Sequence, residues 1–212
     1  ALAKALNKLI ERHESLRTIF PSTEGAAEQL ILPELKIDLK TCSQDMAQLR
    51  KNKKVSVAKA TEALVTAEAN KPFNLSTGPL IRVNLIILSK EEHVLLITMH
   101  HIISDGWSMD IFFRELSHLY NAYVLDEEPS LLPLPIQYAD FALWQRNWLQ
   151  GDILEQQLAY WKQQLSGIPD LLQLPTDKPR PKELTYQGAS YQHTLSKEIK
   201  DSLNRLSQQQ GC

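Results

Sequence analysis

Residues 80–108 read LIRVNLIILSKEEHVLLITMHHIISDGWS. In Leu80–Leu88 the residues Ile81, Val83, Leu85 and Ile87 alternate, and the other face also carries Ile86 and Leu88, so the segment reads as a strand. Ser89–Glu92 is a polar turn of hairpin length. His93–His101 returns as a second strand, unbroken in its apolar run from Val94 to Met99, which predicts burial on both faces. His100 and His101 then stand at the lip of that strand, ahead of Asp105-Gly106 and of a helical pattern beginning at Trp107. Histidine is the side chain best suited to proton transfer near neutral pH. A histidine pair at a strand end, followed by a turn and a helix, is where a site can be built.

Upstream of this hairpin, residues 2–13 predict a helix, with Leu2, Ala5, Leu6, Leu9 and Ile10 at helical spacing. RHESLRTIF, residues 12–20, leads into an extended piece, and Glu28–Leu32 is its candidate strand partner, with Pro33–Asp38 a possible continuation. Ser43–Leu49 and Val57–Asn70 read as helices, the second stopped by Lys71-Pro72. Phe73–Pro79 is a loop.

Downstream, Trp107–Leu125 predicts a helix with Ser108 as N-cap and a stripe that includes Ile111, Phe112, Leu116 and Leu119. Tyr138–Leu149 and Asp152–Leu165 predict two more helices, the second burying Ile153, Leu154, Leu158, Trp161 and Leu165. Pro169–Pro181 is too rich in proline for a helix or a central strand. Ser190–Leu195 reads as a strand and Lys197–Gln208 as a helix. The class is α/β (α+β), and a two-layer sandwich is expected.

Composition narrows the function classes. A net charge of −2 gives no basic excess for nucleic acid or a membrane surface, and 7% aromatics argue against a base-stacking surface. Cys42 and Cys212 are the only cysteines, which is neither a disulfide framework nor a zinc pattern, so a reduced, cytoplasmic setting is expected. No apolar run reaches the length of a membrane span. Residue 1 falls inside a helical pattern without an initiator methionine, so the chain reads as a segment of a longer polypeptide.

The histidines admit several chemistries. A metal site would need a third ligand, with Asp105 or His118 as candidates, but adjacent strand residues point to opposite faces and do not readily share one ion. The same alternation leaves one histidine for an open cleft and the other to hold the turn. Asp105-Gly106 is turn chemistry in its plainest reading. A buried Asp105 would need a cation, for which Arg12 and Arg17 are candidates, although both also suit a solvated face.

HHIISDG fits HHxxxDG, and with it the chain resembles the condensation domains of nonribosomal peptide synthetases. Chloramphenicol acetyltransferase, related acyltransferases and epimerization domains carry similar versions of that signature. RHESLRTIF matches the condensation-domain pattern RHExLRTxF, YADFALW at 138–144 is similar to YxDFAxW, and FNLSTGPLIRVNLIIL at 73–88 and YWKQQLSGIPDLLQLPTDKPRP at 160–181 also fit, in family order. The resemblance implies a chloramphenicol-acetyltransferase-like lobe, the N-terminal half of a two-lobed domain with a tunnel between the lobes. Residues 1–168 would form the N-terminal lobe without its first elements. Residues 169–185 would be the proline-rich connector, and residues 186–212 the start of a C-terminal lobe that the chain does not complete.

The resemblance implies peptide-bond formation. The amine of a carrier-bound aminoacyl acceptor would attack a carrier-bound aminoacyl or peptidyl thioester. Both would ride on phosphopantetheine of upstream and downstream peptidyl carrier domains beside an adenylation domain, with no cofactor or metal bound by this chain. By the family pattern His101 is catalytic, as general base or by positioning the amine. His100 is structural, Asp105 is a structural anchor paired with Arg12 or, second, Arg17, and Gly106 allows close approach and offers an N–H to the oxyanion. Trp107 and Ser108 complete the support, and ISDGWS points to the class joining an L-configured donor to an L-acceptor. The rivals are an epimerization domain and a non-catalytic, carrier-recruiting domain of the same fold. The segment by itself is expected to be inactive and poorly soluble.

Overall fold

A computed structural model describes residues 1–39, 43–45, 57–183, 188, 189 and 191–211. Two compact units divide it, Ala1–Gln163 and Gln164–Cys212. The first begins with helix α1 (Leu2–Arg12), whose Ala5, Leu6, Leu9 and Ile10 are fully buried, as the apolar spacing predicts. A turn of 3-10 helix, Glu14–Arg17, follows and leads into β1 (Thr18–Ile19). β1 pairs antiparallel with β4 (Leu30–Ile31), and between them β2 (Ser22–Thr23) and β3 (Ala26–Ala27) form a small hairpin that periodicity does not reveal. Arg17 staples this region by donating to the carbonyl of Leu32 and to the Glu14 carboxylate.

Pro33–Asp38 does not continue the strand. Its backbone is held instead by Asn7 of α1, which donates to the carbonyl of Ile37 at 3.0 Å and accepts from the Ile37 amide at 2.7 Å. The expected helix from Ser43 starts as a strand, β5 (Ser43–Asp45), and residues 46–49 lie outside the described residues. β5 pairs in parallel with β6 (Ile81–Ile87), and such non-local pairing overrides local propensity. Helix α2 (Val57–Ala69) lies between them in the chain.

β6 and β7 (His93–Met99) form the predicted hairpin, in register from Ile81↔Met99 to Ile87↔His93. Across the turn, the amides of Leu88 and Ser89 both donate to the carbonyl of Glu92. The sheet order is β5-β6-β7. This order explains a correction: β7 is half-buried rather than buried on both faces, because it is an edge strand among the described strands, while Ile81, Val83 and Ile86 of β6 are buried. The loop before β6 needs its glycine. Gly78 has φ +60°, and a Cβ there would come within 2.8 Å of Ile19.

Helix α3 (Gly106–Val124) packs against α1, and Phe112, Leu116 and Leu119 join Leu6, Leu9, Ile10, Ile81 and Val83 in one core. Helix α4 (Tyr138–Trp148) and helix α5 (Gly151–Gln164) follow. The stripe expected to be buried on α5 is not: Ile153, Leu158, Trp161 and Leu165 are exposed. Periodicity marks an apolar face but does not report what covers it. No helix among the described residues is long and apolar enough to cross a membrane.

In the second unit, residues 191–195 are not a strand, and Ser190 lies outside the described residues. Helix α6 (Lys197–Gln210) is capped at its start by the Ser196 hydroxyl, which accepts from the Ile199 amide at 3.4 Å, and at its end by Gly211 in the left-handed region.

Candidate active site

β7 stops at Met99, and the chain turns at once. The His100 amide still donates to the carbonyl of Leu80 at 2.9 Å, as the last rung of the ladder. The Ile103 amide then donates to the carbonyl of His100 at 3.1 Å, closing a turn over residues 100–103. The His100 ring is half-buried and meets Phe73 edge to face, with centroids 5.8 Å apart and planes at 89°. Its Nδ1 accepts from the Ile102 amide at 3.0 Å, which leaves the proton of the neutral ring on Nε2. His101 lies on the outside of the same turn and is exposed. The pair is thus divided by the turn, with one ring holding the backbone and the other open to solvent.

Asp105 closes the segment. It is the N-cap of α3, and its Oδ1 accepts from the Ser108 amide at 2.8 Å and from the Ser108 hydroxyl at 2.6 Å. In return, the Asp105 amide donates to the Ser108 hydroxyl oxygen at 3.4 Å, which completes a capping box. Ser108 is therefore not the cap, as expected from sequence, but its partner inside the first turn. The Ser108 hydroxyl and amide hold the Asp105 carboxyl below its ordinary range, and the charge of nearby His101 adds a smaller push in the same direction.

The expected pairing of Asp105 with Arg12 is corrected by this geometry. Arg12 Nε donates instead to Glu115 Oε2 at 3.1 Å, and His13 Nε2 meets the same oxygen at 2.7 Å. Arg17 is engaged in the first hairpin. The reason is burial. Asp105 is exposed and satisfied by the helix start, whereas the Glu115 side chain is only 9% exposed and needs a cation.

The carboxylate of Glu115 and the side chain of Gln137 were missed as site-organising groups by sequence reasoning. Glu115 stands among Phe112, Leu116 and Leu119 on the apolar stripe, and a charge in such a place is the signal that could have found it. Gln137 joins two motifs. It donates to the carbonyl of Arg12 at 2.9 Å, accepts from the Glu14 amide at 3.1 Å and caps α4. The RHE and YADFALW stretches are thereby fastened together beside the histidine turn.

Two open cavities that share Ser15, Ile103 and Tyr138 adjoin that turn. One, of about 370 Å³, is lined by Met99, Ile103, Ser104, Asp105 and Trp107 from the turn side and by His13 and Tyr138 opposite. The other, of about 460 Å³, is lined by Ile102 and Ile103 and by Thr18, Phe20, Tyr138 and Leu143. His101 lines neither of these two cavities. Trp107, 84% exposed, stands at the rim of the first. Gly106 is the first residue of α3, where backbone N–H groups lack intrahelical partners. A Cβ there would meet nothing within 4 Å, so no described residue of the chain itself demands the glycine. Among the described residues, no three His, Cys, Asp or Glu side chains gather as metal ligands. Chemically, the segment offers an exposed imidazole, a nearby carboxylate and a helix start within a few residues.

Comparison with known proteins agrees with the motifs. The family model described as Condensation domain matches residues 1–212. A linear gramicidin synthase subunit of Brevibacillus parabrevis is 47% identical over 209 residues, covering 99% of this chain and 3% of that protein. The X-domain from teicoplanin biosynthesis, solved alone and in complex with OxyB, is 32% identical with a TM-score of 0.71, covering 85% of this chain and 38% of that structure. The epimerization domain from the third module of tyrocidine synthetase B has a TM-score of 0.68 at 24% identity, over 84% of this chain and 39% of that one, a likeness of fold. The chain spans only a small part of the curated relatives it matches. With a whole-chain family match and the HHIISDG and RHESLRTIF stretches folded beside one another, this chain belongs to the condensation-domain family.

Proposed function

We propose that the chain takes part in peptide-bond formation in nonribosomal peptide synthesis, with His101 at the reacting centre. The observation that carries this reading is the exposed His101 on a turn fixed from both sides, by the His100 ring and by the Asp105–Ser108 box. In the reaction, the nitrogen of a carrier-bound aminoacyl group attacks the carbonyl carbon of a carrier-bound thioester. The N–C bond forms, the C–S bond breaks, and the leaving thiolate is protonated as the amine gives up its proton. His101 accepts that proton or holds the amine for attack, a contribution of about 10²–10⁴-fold for a general base. The Gly106 N–H, at the start of α3, is our candidate donor to the oxyanion, and Trp107 supports the site. Positioning supplies much of the remaining rate for an amine and an activated ester.

The substrates arrive on phosphopantetheine arms of upstream and downstream peptidyl carrier domains, with an adenylation domain adjoining. Two cavities that share Ile103 and Tyr138 lie beside the turn. We place the chain in the N-terminal, two-layer lobe of a chloramphenicol-acetyltransferase-like pair, with the proline-rich residues 169–185 as connector and a cytoplasmic setting. Because the chain covers 38% of the solved X-domain, we expect no turnover from these 212 residues alone. A second reading, a binding domain of the same fold, is favoured by the complex of that X-domain with OxyB. A single-turnover assay of the full-length protein with donor- and acceptor-loaded carriers tests both. Dipeptide on the acceptor carrier supports condensation; carrier binding without product favours the second reading and overturns the first.

A further inference from the structure

We propose that Arg82 and Phe73 are positioning residues for the turn that presents His101: the Arg82 guanidinium clamps the Phe73 ring, Phe73 braces the His100 ring, and His100 holds the turn. The inference rests on the reading of His101 given above.

Arg82 sits in β6, opposite Thr98 of β7, and its guanidinium is used on nearly every side. Nε donates to the Glu68 carboxylate. Nη2 donates to the carbonyls of Glu68 at 3.2 Å and Lys71 at 2.9 Å, and Nη1 to that of Pro72 at 3.4 Å. These carbonyls belong to the end of α2 and the residues just past it, where helix carbonyls lack intrahelical partners. The Glu68 side chain is 7% exposed. Burial pushes its carboxyl up, but hydrogen bonds from Lys71 and Arg82 outweigh that and hold it below its ordinary range.

The face of the guanidinium is used as well. Its central carbon lies 3.8 Å from the Phe73 ring centroid. Phe73 in turn makes the edge-to-face contact with His100, whose Nδ1 accepts from the Ile102 amide. A continuous set of contacts therefore runs from the buried Glu68 to the backbone on either side of His101. A plain ion pair with Glu68 would be served by lysine. The carbonyl bonds and the stacked plane require the arginine fork.

The test uses Phe73→Leu and Arg82→Lys, with Phe73→Tyr as the conservative variant that keeps the ring. Turnover is measured in the full-length protein with loaded carriers, and the His100 tautomer by imidazole NMR on the same full-length protein labelled with nitrogen-15 histidine. The expected result is a kcat lowered about 10-fold or more in Phe73→Leu and Arg82→Lys, the scale on which a misplaced reacting group acts. KM for the carriers stays within about 2-fold, because a positioning residue acts on the reacting step rather than on uniform binding. The His100 signals move away from a pure Nε2–H tautomer, and Phe73→Tyr behaves as the parent. Wild-type kcat in folded Phe73→Leu, or loss of activity in proportion to lost folded protein with His100 signals unchanged, overturns the proposal. His101→Ala run alongside separates the two readings. Turnover there removes the role of His101, whereas loss of turnover there with parental kcat in the other variants removes the positioning role alone.

Discussion

Of the three carboxylates on helix α3 and its N-cap, Asp105 at the start and Glu115 in the middle are treated in opposite ways. Asp105 is exposed, and its carboxylate accepts from the amide and the hydroxyl of Ser108, one turn away. Glu115 is buried and takes its partners from α1 and the residue after it, far away in sequence. The motif around Asp105 invites the arginine, yet the arginine goes to Glu115. A carboxylate at a helix start is already served by backbone N–H groups and the helix dipole. One buried among Phe112, Leu116 and Leu119 has no such supply and draws in a cation. The lesson is that burial, rather than motif membership, decides which acid holds the arginine.

That contrast can be broken most directly at the buried end. Glu115→Ala leaves Arg12 and His13 without their shared acceptor and is expected to cost about 3 kcal/mol in chemical denaturation, the low end for a broken buried pair because both partner side chains are partly exposed. Glu115→Gln keeps shape and hydrogen bonding and removes only the charge. A loss of about 2 kcal/mol is expected for this variant, and a negligible one would make the site a packing position.

At the exposed end the effects are smaller. Asp105→Ala loses the cap and destabilises less than either Glu115 variant, whereas Asp105→Asn keeps a capping oxygen and at neutral pH loses only the contribution of the charge. The pH dependence has a definite sign. The folded Asp105 carboxyl is held below its ordinary value of 3.8, so the unfolded chain binds more protons in that range, and stability rises with pH through it. The advantage of parent over Asp105→Asn is present above about pH 4 and lost as the pH falls below it. Added salt, read by thermal denaturation, shrinks the Asp105 effect and leaves most of the Glu115 effect in place, since screening acts mainly on exposed charges.

Much of the architecture was legible because its elements are long enough to show a period. Helices α1, α3 and α4 and the β6–β7 hairpin lie within a residue or two of their sequence-based bounds. The strands β1 to β4, two residues each, are too short to carry alternation, and only the partner of β1 was visible. Ser43–Asp45 is a strand because β6 offers it an edge, information that its own residues do not contain. The apolar faces of β7 and α5 were read correctly as apolar and wrongly as buried, because a period does not report what lies opposite.

At the site, the identity of the turn was in the sequence, from HHIISDG. Its fastening was not. The Arg12–Glu115 and Gln137–Arg12 contacts join residues more than a hundred positions apart. A motif names the residues without naming their partners.

The central claim is that the exposed imidazole of His101 serves bond formation between two carrier-bound substrates. Single-turnover transfer in the full-length protein, parent against His101→Ala, measures it most directly, with carrier binding and folded yield followed in the same samples. The account predicts parental binding and folding with dipeptide formation lowered about 10²-fold or more. Dipeptide formed at the parental rate by His101→Ala would contradict it.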